Sequence, residues 1–205
     1  MTRRLVDSRA VPERLGVFGG TFDPPHVGHL VTAVNVRHSL QLDRVLLVVA
    51  NVPWQKEGSR RITPAADRLW LVQQAVRGVH GLEASSIELD RSGDSYTADT
   101  LAELCERRPA AELFTILGED AAAGFLTWER YEEVAKLSTL VVVDRPGVRA
   151  ELPGGFDWVH VEVPRLEVSS SDLRARVRDG RPLEFLLSPP VLAGIEARRL
   201  YREAA

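Results

Sequence analysis

The chain predicts an α/β fold, a doubly wound and mostly parallel sheet, and three observations carry that expectation. Short, near-continuous apolar runs recur along its 205 residues, as strands buried on both faces of a parallel sheet require. Longer amphipathic stretches lie between those runs, with apolar residues at helical steps. Strands and helices alternating at these lengths pack as helical layers on the two faces of one sheet.

The elements follow in order. Strands are expected at 14–20 (RLGVFGG), 44–50 (RVLLVVA), 112–118 (ELFTILG) and 139–145 (TLVVVDR), each an apolar run that ends in turn residues. Two more are read at 82–89 (LEASSIEL) and 158–163 (WVHVEV). A helix begins near Val27. In 63–78, Ala65, Leu69, Val72 and Val76 mark an apolar face; Thr63 is placed to cap the helix, Pro64 suits its first position and Gly78 ends it. In 95–109 the face is Leu101, Leu104 and Cys105, and Pro109 is the stop. From about residue 165 the rhythm breaks into a small C-terminal helical part, whose last helix runs through Tyr201. One domain over 15–205 is expected, preceded by a flexible extension at 1–14.

Composition removes several classes of function. The formal net charge is −3, so no basic field marks a nucleic-acid partner. No apolar run is long enough to span a bilayer, and the first residues carry arginines without the apolar segment of a secretory signal. A cytoplasmic protein with no membrane partner is the expectation. The single cysteine, Cys105, cannot form an intramolecular disulfide or a multi-cysteine metal site and reads as a small helix-face residue.

Chemistry concentrates first in GVFGGTFDPPHVGHL, residues 16–30. Gly19 and Gly20 end the first strand, and the loop Thr21–Phe22–Asp23–Pro24–Pro25 then lies beyond the carboxyl edge of the sheet, where such folds bind ligands. Glycines there let backbone N–H groups approach phosphate oxygens. The helix starting near Val27 aims the positive end of its dipole into the same space, with His26 and His29 projecting to one side of its first turn. Gly28 between them removes a side chain where a ligand must lie close. Blander readings stand beside this one: a Gly-Gly pair can be a plain tight turn, and two such histidines can be solvated or satisfied in the core. No Cys, Asp or Glu stands at a metal-ligand spacing beside them, and the dinucleotide fingerprint G-x-G-x-x-G is absent.

A second cluster is VSSSDLRARVRDG, residues 168–180. Ser169 or Ser170 can cap a helix there, with Asp172 in its first turn. Arg174 and Arg178 share a face of that helix, and a serine-capped start with an adjacent arginine is also a phosphate site, so an ordinary cap and an anion site both remain open. The same duality holds at SYTADTL, residues 95–101, where Tyr96 and Thr97 open a helix and Ser95 reads equally as an N-cap. Gly118 and Asp120 stand just past a strand end. Trp128 can stack on a flat ring or simply pack.

GGTFDPPHVGH resembles the H-x-G-H signature of the nucleotidyltransferases related in fold to class I aminoacyl-tRNA synthetases, and more narrowly that of bacterial nicotinate-mononucleotide adenylyltransferase. The resemblance runs from about Leu15 to Tyr201. It implies a Rossmann-like sheet and transfer of the adenylyl group of ATP to nicotinate mononucleotide. His26, His29 and Arg174 are then the catalytic residues. Gly19, Gly20, Thr21, Phe22, Gly118 and Asp120 would contact ATP, as would Ser169, Ser170 and Ser171, since V-S-S-S-D-L-R is similar to the family's I-S-S-T-x-I-R. The mononucleotide would meet Asn51, Lys56, the backbone amides of Tyr96 and Thr97, and Trp128. Where many members carry P-P-H-K, this chain has Pro53, Trp54, Gln55 and Lys56, which leaves Lys56 as the candidate partner for the nucleotide's phosphate. Mg²⁺ would arrive on ATP with few or no direct protein ligands and no resident metal site. A homo-oligomer is compatible with the resemblance. The rivals are adenylyl transfer to nicotinamide mononucleotide, phosphopantetheine or FMN, and a nucleotide sensor without catalysis.

Overall fold

In the computed structural model, which describes residues 12–53, 62–144, 147, 151–164 and 166–202, six strands form one sheet. They are β1 (Arg14–Gly20), β2 (Arg44–Val49), β3 (Leu82–Ser85), β4 (Glu112–Gly118), β5 (Thr139–Asp144) and β6 (Trp158–Glu162). Their spatial order is β3-β2-β1-β4-β5-β6 and every neighbouring pair is parallel. The helices are α1 (Val27–Ser39), α2 (Ala65–Val76), α3 (Ile87–Arg91), α4 (Thr97–Arg107), α5 (Glu119–Ala123), α6 (Tyr131–Leu137), α7 (Ser170–Asp179) and α8 (Pro189–Ala197).

The strands read as apolar runs because both of their faces are buried. In β2, Val45, Leu47 and Val49 join one core with Ala33, Val36 and Val72 of α1 and α2. Leu46 and Val48 join the other, with Ala98, Leu101 and Leu104 of α4. Gly16 of β1 is forced by crowding: a Cβ there would stand 2.9 Å from Val45 Cγ2. A third cluster, Leu71 and Ala75 of α2 with Leu173, Leu187, Val191 and Ile195, fastens the C-terminal helices to the sheet domain. Among the described residues no helix is long and apolar enough to cross a membrane.

Several expected boundaries shift. The segment 82–89 is not one strand: β3 stops at Ser85, and α3 follows with Ile87 and Glu88 buried. The Ser86 carbonyl accepts from Asp90 N–H at 2.8 Å, a helical turn that the alternation of Ile87 and Leu89 disguised. α2 starts one residue later than expected, with Pro64 rather than Thr63 at the cap, while Gly78 takes the expected left-handed turn (φ 77°). The last helix ends at Ala197, before left-handed Arg199 and Tyr201. Arg14 opens β1, and Glu13 before it pairs with Arg44 and Arg108.

Candidate active site

The order of strands reverses between β1 and β4, and the two part there. β1 pairs with β4 only as far as Val17 opposite Thr115. Its pairing with β2 continues to Gly20 opposite Val49, and β4 stays with β5 to Gly118 opposite Val143. A cleft of about 240 Å³ opens at this switch point, lined among others by Gly19, Gly20, Thr21, Tyr96, Thr97, Gly118 and Trp128. A Cβ on Gly19 or Gly118 would meet nothing within 4 Å, so both present bare backbone to open space. Gly20 is glycine for another reason, because a Cβ there would strike the Phe22 ring at 2.9 Å. Phe22 itself is buried, with a left-handed backbone (φ 49°) and its ring edge-on to His29 at 4.9 Å. Any contact it makes with a nucleotide is therefore through its main chain.

His26 is the N-cap of α1 and His29 lies in its first turn. The rings stack, with centroids 3.7 Å apart. His29 Nδ1 accepts from the His26 main-chain N–H at 3.1 Å, which places the proton of a neutral His29 ring on Nε2. His26 is buried, and loss of solvation lowers its pKa to about 4. Its Nδ1 is buried without a hydrogen-bond partner among the described residues. Gly28 leaves room for that ring rather than directly for a ligand: a Cβ would come within 3.1 Å of His26 Nδ1 and 3.0 Å of Val168 Cγ1.

The start of α7 docks on the same loop. Ser169 caps the helix, its hydroxyl accepting from Asp172 N–H at 3.2 Å. Ser170 Oγ donates to the Pro24 carbonyl at 2.8 Å, and Arg174 Nη1 donates to the Asp23 carbonyl at 2.8 Å. Arg174 Nη2 also reaches Ser171 Oγ at 3.2 Å. Residues separated by about three quarters of the chain are thus brought together around Asp23 and Pro24. Arg178, on the same helix, lines a different groove with Arg181 and Arg202.

Also on the cleft, Tyr96 is the N-cap of α4 and Thr97 its first residue, and among the described residues the Tyr96 side chain makes no capping hydrogen bond. Ser95, read as an alternative cap, instead accepts from Asn51 N–H at 2.7 Å. Asn51 Nδ2 donates to Gly93 O at 2.9 Å, so Asn51 ties the loop after β2 to the loop before α4. The Tyr96 hydroxyl, hydrogen-bonded to Asp94, is held above its usual pKa by desolvation first and by that carboxylate second. Trp128 is half-buried, backed by the Phe125 ring at 5.7 Å. Asp120 is exposed in the first turn of α5. Lys56, with Trp54 and Gln55, lies outside the described residues. Among the described residues no group of three His, Cys, Asp or Glu side chains is placed to hold a metal ion.

The model of the cytidylyltransferase-like family matches residues 17–176. The chain belongs to that family. A relative from Corynebacterium kroppenstedtii, described as a probable nicotinate-nucleotide adenylyltransferase, is 44% identical over 92% of this chain and 90% of its own. One of the same description from Desulfitobacterium hafniense strain Y51 is 40% identical, over 94% of this chain and 98% of its own. The fold matches the solved structure of Plasmodium falciparum nicotinic acid mononucleotide adenylyltransferase complexed with NaAD, with a TM-score of 0.75 at 16% identity, covering 92% of this chain and 97% of that one.

The family motifs do not contain every residue that shapes this site. Arg68 of α2 is buried beneath the loops that follow β1 and β2, although an arginine in an amphipathic helix reads as a solvent-facing residue. Glu88 is buried in the cleft wall, where Thr100 Oγ1 donates to its Oε1 at 2.8 Å. The Tyr201 hydroxyl is kept protonated by burial and, secondarily, by the nearby Asp23 carboxylate. None of the three had a local sequence signal, because at least one partner of each lies well beyond its own helical turn.

Proposed function

We infer that the chain is a nicotinate-nucleotide adenylyltransferase: it transfers the adenylyl group of ATP to nicotinate mononucleotide, giving nicotinate adenine dinucleotide and pyrophosphate. The observation that carries this reading is the meeting of two helix starts at one turn. α1 brings His26 and His29, and α7 brings Ser170 and Arg174 to Asp23 and Pro24, beside a cleft that ends at Tyr96, Thr97 and Trp128.

The chemistry needs little from a side chain except position. The acceptor's phosphate is an anion near neutral pH, so its oxygen attacks the α-phosphorus without a general base. The bond from the α-phosphorus to the bridging oxygen breaks as the new one forms, and pyrophosphate leaves with the electron pair. Catalysis is then alignment together with stabilisation of developing negative charge. His29, with its proton on Nε2, and His26 donate to phosphate oxygens. Arg174, held by Asp23 O and Ser171, and the capped start of α7 receive the pyrophosphate. Bare backbone at Gly19 and Gly118 lets the nucleotide lie against the strand ends. Magnesium would come with ATP rather than from a resident protein site, and would supply neutralisation of phosphate charge. The start of α4 is an anion receptor on the cleft for the nicotinate carboxylate, with Trp128 beside it to cover the ring.

A pyrophosphate-release assay with ATP and a panel of acceptors tests the assignment. Turnover is expected with nicotinate mononucleotide, well above that with nicotinamide mononucleotide, phosphopantetheine or FMN. Release with none of them would leave only a nucleotide-binding role.

A further inference from the structure

Among the described residues the bulkiest fully buried side chain is Arg68, 1% exposed, in the first turns of α2. A guanidinium removed from water must spend its donors on protein acceptors, and each of its three nitrogens here gives one to the main chain of a separate segment. Nε donates to Thr63 O at 2.7 Å, Nη1 to Thr21 O at 2.8 Å and Nη2 to Asn51 O at 3.1 Å. Apolar contacts already hold α2, since Leu71 and Val72 are fully buried on the same helix. What the guanidinium adds is a fixed spacing between loops at the carboxyl edge of the sheet.

Those loops belong to the two halves of the site. Thr21 lines the cleft and leads into Asp23 and Pro24, the anchors of Arg174 and Ser170. Asn51 N–H donates to Ser95 Oγ, Asn51 Nδ2 to Gly93 O, and Ser95 N–H to Val52 O at 3.1 Å, so the segment that delivers Tyr96 and Thr97 hangs on the loop after β2. One unbroken path of hydrogen bonds therefore runs from the triphosphate loop through Arg68 to the helix start at the acceptor end.

We propose that Arg68 is a positioning residue for adenylyl transfer, its forked guanidinium setting the distance between the ATP loop and the acceptor loop. The proposal rests on the function inferred above. An in-line reaction between two bound nucleotides depends on that distance, and a misplacement of about 1 Å is enough to cost on the order of 10²-fold in rate. A lysine keeps the charge but presents a point donor that cannot span three carbonyls in fixed directions.

The test separates binding from alignment. For Arg68→Lys, affinities for a non-hydrolysable ATP analogue and for nicotinate mononucleotide are measured singly by calorimetry, and turnover is measured with both substrates saturating. Each affinity should stay within about threefold of the unmodified chain while kcat falls about 30- to 100-fold. Leu71→Val, a core change on the same helix, is matched to it for thermal stability and should keep its kcat. Ser95→Ala weakens the path one link further on, removing one of the three bonds that tie the acceptor segment to the loop after β2, and should show the same pattern with about a tenfold fall. It decides the matter should Arg68→Lys fail to fold. A kcat within twofold of the unmodified chain, a loss confined to the affinity of one substrate, or an equal loss in Leu71→Val would overturn the proposal. An unmodified chain that turns over no mononucleotide would instead sink the functional reading.

Discussion

Arg174 Nη1 donates to the main-chain carbonyl of Asp23 at 2.8 Å, across 151 positions of sequence. The contact fixes one arm of the fork and so determines where the rest of the guanidinium points. Arg174→Lys retains charge but loses that orientation, and a pyrophosphate clamp relies on orientation. The expected outcome is a fall in kcat/KM for ATP of about 10²-fold, with a loss of stability near 1 kcal/mol from the missing hydrogen bond. Steady-state kinetics and urea unfolding measure the two effects separately, and a full-rate lysine variant would place the leaving group elsewhere.

His29 gives the second expectation. Its Nδ1 is occupied by the His26 N–H, so a hydrogen bond from the ring to a phosphate would come from Nε2. His29→Ala should cut kcat by about 10²–10³-fold, the scale for one preorganised donor, with the fold retained by circular dichroism. Turnover unchanged in that variant would remove the imidazole from the reaction.

The buried His26 makes stability depend on pH in a defined direction. Its folded pKa of about 4 lies below the unfolded value of 6.5, so between the two the unfolded chain binds a proton that the folded chain refuses. Stability is therefore at its full value above pH 6.5 and is lost as pH falls towards 4. Between pH 7.5 and pH 5 the His26 contribution should drop by about 2 kcal/mol. Urea unfolding at the two pH values, compared with His26→Asn, isolates it; parallel curves for the two proteins would contradict the assigned burial effect.

Gly19 and Gly28 should respond oppositely to a methyl group. A Cβ on Gly19 has nothing within 4 Å and enters the cleft, so Gly19→Ala should fold with unchanged or slightly higher stability, by about 0.4–1 kcal/mol, yet bind ATP at least about tenfold more weakly. A Cβ on Gly28 presses on the His26 ring and Val168. Gly28→Ala should therefore lower kcat by displacing the histidine, with a smaller change in ATP affinity. Thermal melts and nucleotide titrations check both; tight ATP binding by Gly19→Ala would argue against a nucleotide lying on that strand end.

How much of this was legible beforehand follows from where each signal resides. Strands such as Arg44–Val49 could be read because burial on both faces leaves a continuous apolar run, and the site loop because glycine, proline and paired histidines lie within one short stretch. The helix Ile87–Arg91 could not, because five residues with two apolar side chains fit strand and helix periods equally well. Gly28 was legible as a place that forbids a side chain, while one of the two neighbours enforcing it, Val168, comes from another part of the chain. Arg68 was hidden for the same reason: its burial is created by carbonyls of Thr21 and Asn51, which only the folded sheet brings to it.

Trp128 tests the acceptor end. Its half-buried ring is braced by Phe125, itself packed edge-on against Phe156 at 5.3 Å and Trp158 at 5.4 Å, so the indole is held at the cleft wall by a rigid aromatic group. The start of α4 stands on the same cleft; in the proposed reading it supplies the charge recognition and leaves the indole to supply stacking area. Removing it should act on the flat pyridine ring and spare the triphosphate. Trp128→Ala is expected to raise KM for the mononucleotide about tenfold or more, the range of one lost ring-on-ring contact, while KM for ATP moves less than about twofold. Equal changes in the two constants would mean that the tryptophan shapes the whole cleft through its aromatic neighbours and does not meet the acceptor ring.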